Sequence, residues 1–145
     1  MTTALTRAVA RLLLPATLVT AAALLVRGYA ETGDGFIAGV MAAIGIVMQY
    51  VAFGARAAER LLPVRLAPAA LVFGLLLALA VAFAPLLGGA PLLAHVPRPG
   101  GHVISLGALE LHTAVAFDLG VCLAVLGFAV GVVRAIARTE SAETR

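Results

Sequence analysis

Apolar residues run along this chain in four long blocks, at 8–26, 36–53, 67–87 and 113–133. Each block has about the 17–25 residues that a helix needs to cross a hydrocarbon core of roughly 30 Å. The second and third blocks carry no charge; the first contains Arg11 and Pro15, and the fourth contains Asp118. Strands of a membrane barrel alternate over about ten residues, and these unbroken runs do not. The pattern predicts an all-α integral membrane protein, a single membrane domain over 1–145 with four transmembrane helices. Pro15 removes one backbone bond inside the first helix and predicts a kink near its start.

Composition sharpens this. Of 145 residues, 63% are apolar and 12% charged, whereas a soluble domain carries roughly a quarter charged. Soluble globular and disordered chains are both excluded. The net charge is +3 and all ten formal positive charges are arginine, with 6% aromatics. No basic patch is interleaved with stacking aromatics, so nucleic acid is excluded as a partner. The arginines report orientation instead. Arg7 and Arg11 open the first helix, Arg56, Arg60 and Arg65 lie between the second and third, and Arg134, Arg138 and Arg145 follow the fourth. The other two connections hold only Arg27 and Arg98. By the positive-inside bias, both termini are expected in the cytoplasm. A cleavable leader ending at Ala21–Ala23 is the competing reading of the N-terminus. The apolar run continues past that point to Val26, which favours a retained span.

Few residues offer chemistry. There is no phosphate loop, dinucleotide fingerprint or zinc-protease pattern, so no cofactor is expected. Cys122 is the single cysteine, which forbids an internal disulfide. His95, His102, His112 and Glu110 all fall in the stretch 88–112, where Pro91, Pro97, Pro99 and the Gly100–Gly101 pair forbid a continuous helix. None of these histidine pairs has the three- or four-residue spacing of helical metal ligands, and no metal site is expected. An intramembrane enzyme built on these groups is the weakest reading. The apolar half of this stretch, 103–111, is expected at the membrane interface.

Asp118 carries more information, as the only acid inside an expected span. Intramembrane carboxylates are costly and so count as functional candidates. Its place near the start of the fourth helix also fits a plain interaction with the positive helix end. Both readings stay open. Gly120, Ala124, Gly127 and Gly131 make a stripe of small residues along one face of that helix, the kind that lets two backbones approach closely. At about 100° per residue Asp118 lies off that stripe, and is expected to face a second neighbour: a partner chain or a hydrated cavity. Ala38, Ala42 and Gly45, with Gln49 beyond, repeat the small-residue pattern on the second helix. Helices adhesive on so many faces suggest one component of a larger assembly.

Two segments carry a family resemblance. The first is Arg27-Gly28-Tyr29, followed by Thr32-Gly33-Asp34-Gly35-Phe36 and Gly39; the second is Phe117-Asp118-Leu119-Gly120-Val121, followed by Val125 and Gly127. Together they resemble the B subunit of the multisubunit Mrp/Mnh-type sodium/proton antiporters, at similar spacing and with the same four-span plan. Tyr29 stands where that family has histidine, Thr32 where it has proline, and Asp34 where it has the middle glycine. The first departure removes a titratable group; the last adds a carboxylate beside Glu31. Without the family, Gly33, Gly35 and Gly39 suit a tight turn and close helix contact, Phe36 suits an interfacial anchor, and Asp34 suits a cap on the second helix.

The resemblance implies an accessory subunit of a cation/proton antiporter in a bacterial cell membrane, inactive alone. Its implied partners are the other antiporter subunits, including large ones akin to the proton-pumping subunits of complex I, with sodium and protons moving through the whole. The alternative from another class is a structural membrane subunit of a related redox-driven complex, such as a membrane-bound hydrogenase. Asp118 is the ion-path candidate in the first reading.

Overall fold

The computed structural model describes residues 3–27, 34–89, 91–93, 105–106, 109–110 and 113–143. Four long helices hold most of them: α1 (Ala4–Arg27), α2 (Asp34–Phe53), α4 (Leu62–Leu87) and α5 (Thr113–Glu143). A single turn, α3 (Ala55–Ala58), lies between α2 and α4. All four long helices are long and apolar enough to cross a membrane. Ser105–Leu106 (β1) and Leu109–Glu110 (β2) form a small antiparallel ladder, pairing Ser105 with Glu110 and Leu106 with Leu109. That ladder lies in the stretch expected to rest at the interface.

The helices outrun the apolar blocks that predict them. α1 starts at Ala4 and takes in Arg7, α4 starts at Leu62 and takes in Arg65, and α5 continues to Glu143. Hydropathy marks where hydrocarbon ends, whereas helical hydrogen bonding continues until the backbone is stopped. Pro63 opens α4 in its first turn, where a missing N–H costs nothing. Gly54 separates α2 from α3 with φ at +79°, and Gly89 follows α4 at +72°, both in the left-handed region that favours glycine. Pro15 lies within an uninterrupted α1.

Spatial order differs from chain order. The principal contacts run α1 to α2, α2 to α5 and α5 to α4. The four long helices therefore form a row, α1–α2–α5–α4, with the last helix inserted between the second and the third. The core is thin and centred on α2 and α5. One cluster gathers Ile46, Tyr50, Val64 and Val130, and a second gathers Ala21, Ala38, Ala42 and Cys122. Leu12, Val19, Val72, Phe73, Leu76 and Phe83 stay on the outside of α1 and α4. Exposed leucine costs nothing in lipid, where close packing and polar contacts hold helices together.

One end of the row collects the arginines. The Arg11 guanidinium sits 5.4 Å from the centre of the Phe53 ring, a cation–π contact. Glu59, just after α3, accepts hydrogen bonds from Arg138 Nε at 2.9 Å and Nη2 at 3.3 Å. Arg134 Nε lies 3.8 Å from the same carboxylate. The start of α1, the end of α2, α3 and the last turns of α5 thus meet at this end.

Candidate functional site

The two resemblance segments, some eighty residues apart, pack directly on one another. Asp118, in the second turn of α5, is only 3% exposed, and its Oδ2 is sealed from solvent. Opposite it lies Gly35 in the first turn of α2. A Cβ at Gly35 would sit 2.8 Å from both Cα and C of Asp118, with the carbonyl oxygen closer still. One turn further, a Cβ at Gly39 would meet the Cys122 carbonyl oxygen at 2.7 Å and Val125 Cβ at 2.9 Å. Glycine is needed at both places for backbone approach.

This corrects one expectation. Asp118 does lie off the small-residue stripe, as helix geometry predicts, but the neighbour on that side is α2 of the same chain rather than a partner chain. The error has a topological cause: α5 sits between two helices, so both of its faces are covered from within.

Asp34 lies in the first turn of α2, where a carboxylate favours the positive end of the helix. Phe36 points outward, 57% exposed. Gly33, Tyr29, Glu31 and Thr32 lie outside the described residues, as do His95, His102 and His112. Among the described residues no group of three or more His, Cys, Asp or Glu side chains converges as a metal site would require.

The stripe on α5 faces α4. A Cβ at Gly120 would meet Ala78 N at 2.7 Å and Gly74 O at 2.9 Å; one at Gly127 would meet Ala67 O at 2.5 Å and Leu71 N more closely. Between them, the Ala124 amide nitrogen would lie 2.5 Å from a Cβ at Gly74. Gly131 departs from the expected seam, since a Cβ there would meet nothing within 4 Å. α4 still packs beside α5 at this level through Val64 and Val130, so Gly131 lies off the line of closest backbone approach.

Other contacts escaped sequence reasoning. Gly74 is the α4 side of the seam, and a lone glycine in a run of leucine and alanine was its signal. The small stripe on α2 faces α1: Thr17 lies over Gly45, and Thr17 Oγ1 donates to the carbonyls of Leu13 and Leu14 at 2.9 and 3.0 Å. Gln49 Nε2 donates to the Ala10 carbonyl at 2.7 Å, a buried bond between α2 and α1. Glu59 had no sequence signal, because its partners come from the far end of the chain. The hydrogen bond from Arg138 holds its carboxyl below the usual carboxylate range, with slight burial opposing and the two guanidinium charges assisting.

Chemically this is a sparse interior. Among the described side chains, Asp118 is the one acid enclosed between helices, and the sequence contains no lysine. Residues 5–131 match the family described as "Domain related to MnhB subunit of Na+/H+ antiporter". The chain belongs to this family. The MnhB-related region spans α1, α2, α4 and most of α5, including the Gly35–Asp118 contact. Relatives cover similar ground. The Na(+)/H(+) antiporter B subunit of Alkalihalophilus pseudofirmus is 34% identical over 113 residues, 78% of this chain and 77% of that one. Its Bacillus subtilis counterpart is 35% identical over 117 residues, 81% and 80% of the two chains. A probable K(+)/H(+) antiporter A/B subunit of Rhizobium meliloti is 36% identical over 131 residues, which is 88% of this chain but 12% of that one. These relatives favour the antiporter reading over the redox-complex alternative.

Proposed function

We propose that this MnhB-related chain is an accessory membrane subunit of a multisubunit cation/proton antiporter and does not exchange ions alone. The observation that carries this is the family match over nearly the whole bundle, including the contact between Gly35 and Asp118. The interior supports the dependence on partners. A proton or cation path needs a succession of titratable or polar groups, and among the described residues the bundle offers one enclosed acid. The chain acts as a single membrane unit in a bacterial cytoplasmic membrane. Its arginine-bearing end faces the cytoplasm, because that end collects the groups that the positive-inside bias retains.

Large subunits akin to the proton-pumping subunits of complex I supply most of the path. The Rhizobium meliloti relative, named for A and B together and matched over 12% of its length, supports close association of a B-like unit with a much longer chain. In this reading Asp118 is the residue of this chain that lies on or beside the ion route. Because the relatives are named for sodium and for potassium, both cations belong in the test. Everted vesicles from cells carrying all subunits should show a pH change driven by one or both cations, and deletion of this chain should abolish it. The purified chain in vesicles should show none; robust exchange by it alone would overturn the proposal.

A further inference from the structure

An apolar groove runs along the face where α2 meets α5. Its inner part, about 230 Å³, is lined by Val40, Ala43, Ile44, Val47, Met48 and Ala129. Its outer part, about 510 Å³, begins at the shared Val47 and continues past Tyr50, Val51, Gly54 and Ala55 to Val133, Ile136 and Ala137. From Val40 to Gly54 the α2 wall covers roughly 21 Å at 1.5 Å per residue. That length matches one leaflet, half of a hydrocarbon core roughly 30 Å thick, plus the adjoining interface. The inner part is almost wholly apolar, the outer part adds Tyr50, and the mouth is cationic. Exposed Arg56 follows Ala55 in the chain, Arg134 follows Val133, and Arg138, 58% exposed at its side chain, follows Ala137. Glu59 is the one described acidic side chain at this end, and the hydrogen bonds from Arg138 already engage it.

We propose that this groove is a binding site for an anionic phospholipid. One acyl chain lies along α2 and α5, and the headgroup phosphate rests among Arg56, Arg134 and Arg138. The groove is mainly apolar for about the depth of an acyl chain, with Tyr50 in its outer part, and cationic where the phosphate of the same molecule arrives. A transmembrane helix of a partner protein would fill the apolar part but would leave Arg56, and the excess of Arg134 and Arg138 over the single Glu59 carboxylate, without an anion.

The test uses the full chain, with whatever subunits accompany it, reconstituted in phosphatidylcholine vesicles. These contain a minor fraction of phosphatidylglycerol bearing a photoactivatable group on its acyl chain. Adducts should concentrate on the peptides holding Val47–Gly54 and Val133–Ala137, and unlabelled phosphatidylglycerol should compete far better than phosphatidylcholine. Arg56→Gln, an exposed change that leaves the packing intact, should weaken labelling about fivefold, the share of one juxtamembrane arginine. Val47→Trp should block the groove and remove the adducts, and Ile44→Cys labelled with a short crosslinker provides an independent readout if Val47→Trp fails to fold. Labelling spread evenly over the outer faces of α1 and α4 would overturn the proposal. Equal competition by phosphatidylcholine would do so too, as would crosslinking of Ile44→Cys to another protein of the complex in place of lipid.

Discussion

Asp118 is the residue whose position says most and whose role is most open to measurement. Its backbone is held against Gly35, so its contribution divides into a packing part and a charge part. Asp118→Asn preserves shape and removes the titratable charge. With Asp118 on the ion route, the complex should assemble normally while exchange falls or its pH optimum moves. Pull-down of the other subunits together with pH-resolved exchange in vesicles checks both halves; unchanged exchange would leave Asp118 a packing residue. Gly35→Ala separates the other part. The added methyl would drive into the α5 backbone, which has no rotamer to escape by, and overpacking of this kind costs about 1–3 kcal/mol. A lowered melting temperature with normal exchange per assembled complex is expected. Lost exchange at normal assembly would assign the turn an ionic role.

At the scale of elements, the seam between α4 and α5 makes a paired prediction. Gly127→Leu should open the seam, because Ala67 and Leu71 backbone atoms occupy the space. Gly131→Leu should be nearly silent, because nothing lies within 4 Å of its missing side chain. Thermal melts of the purified protein distinguish them, and equal losses would show that the stripe packs beyond its contact with α4. These two glycines also mark how far sequence reading reaches. The four helices were legible because each apolar block had the length of a span, and the α5 stripe was legible because glycine recurs at helical spacing. Which helix filled the stripe was not, since hydropathy does not encode that α5 returns between α2 and α4. The same gap hid the neighbour of Asp118. Its angular offset from the stripe was computable from one helix, whereas the α2 backbone opposite comes from some eighty residues earlier. The helices run past the apolar blocks for a simpler reason: backbone hydrogen bonding carries them through Arg7, Arg65 and Arg134–Glu143, beyond the apolar runs.

The whole molecule is a row of four helices tied at one end by charge. That arrangement predicts that both termini share the cytoplasmic side: a fluorescent protein fused after Arg145 should mature and fluoresce, and a phosphatase that works only outside the cytoplasm should stay inactive there. The tie itself predicts a pH dependence. Glu59 connects the short link after α3 to the last turns of α5, and the hydrogen bond from Arg138 holds its pKa below that in an unfolded chain. A carboxylate so lowered adds stability that is fully present above the ordinary carboxylate range. That stability disappears as pH falls through the lowered folded value, when Glu59 takes up a proton and releases Arg138. The side chain is 28% exposed, so solvent screening limits the gain to at most about 1 kcal/mol. Glu59→Gln removes the titration and most of the attraction to Arg134 and Arg138. At neutral pH the variant should melt slightly below the wild type, and the gap should close only below the ordinary carboxylate range, as pH falls through the lowered folded value and the wild-type carboxyl protonates. Raising salt at neutral pH should narrow the same gap, since part of the tie is exposed charge. A gap independent of both pH and salt would mean that Glu59 acts through shape alone.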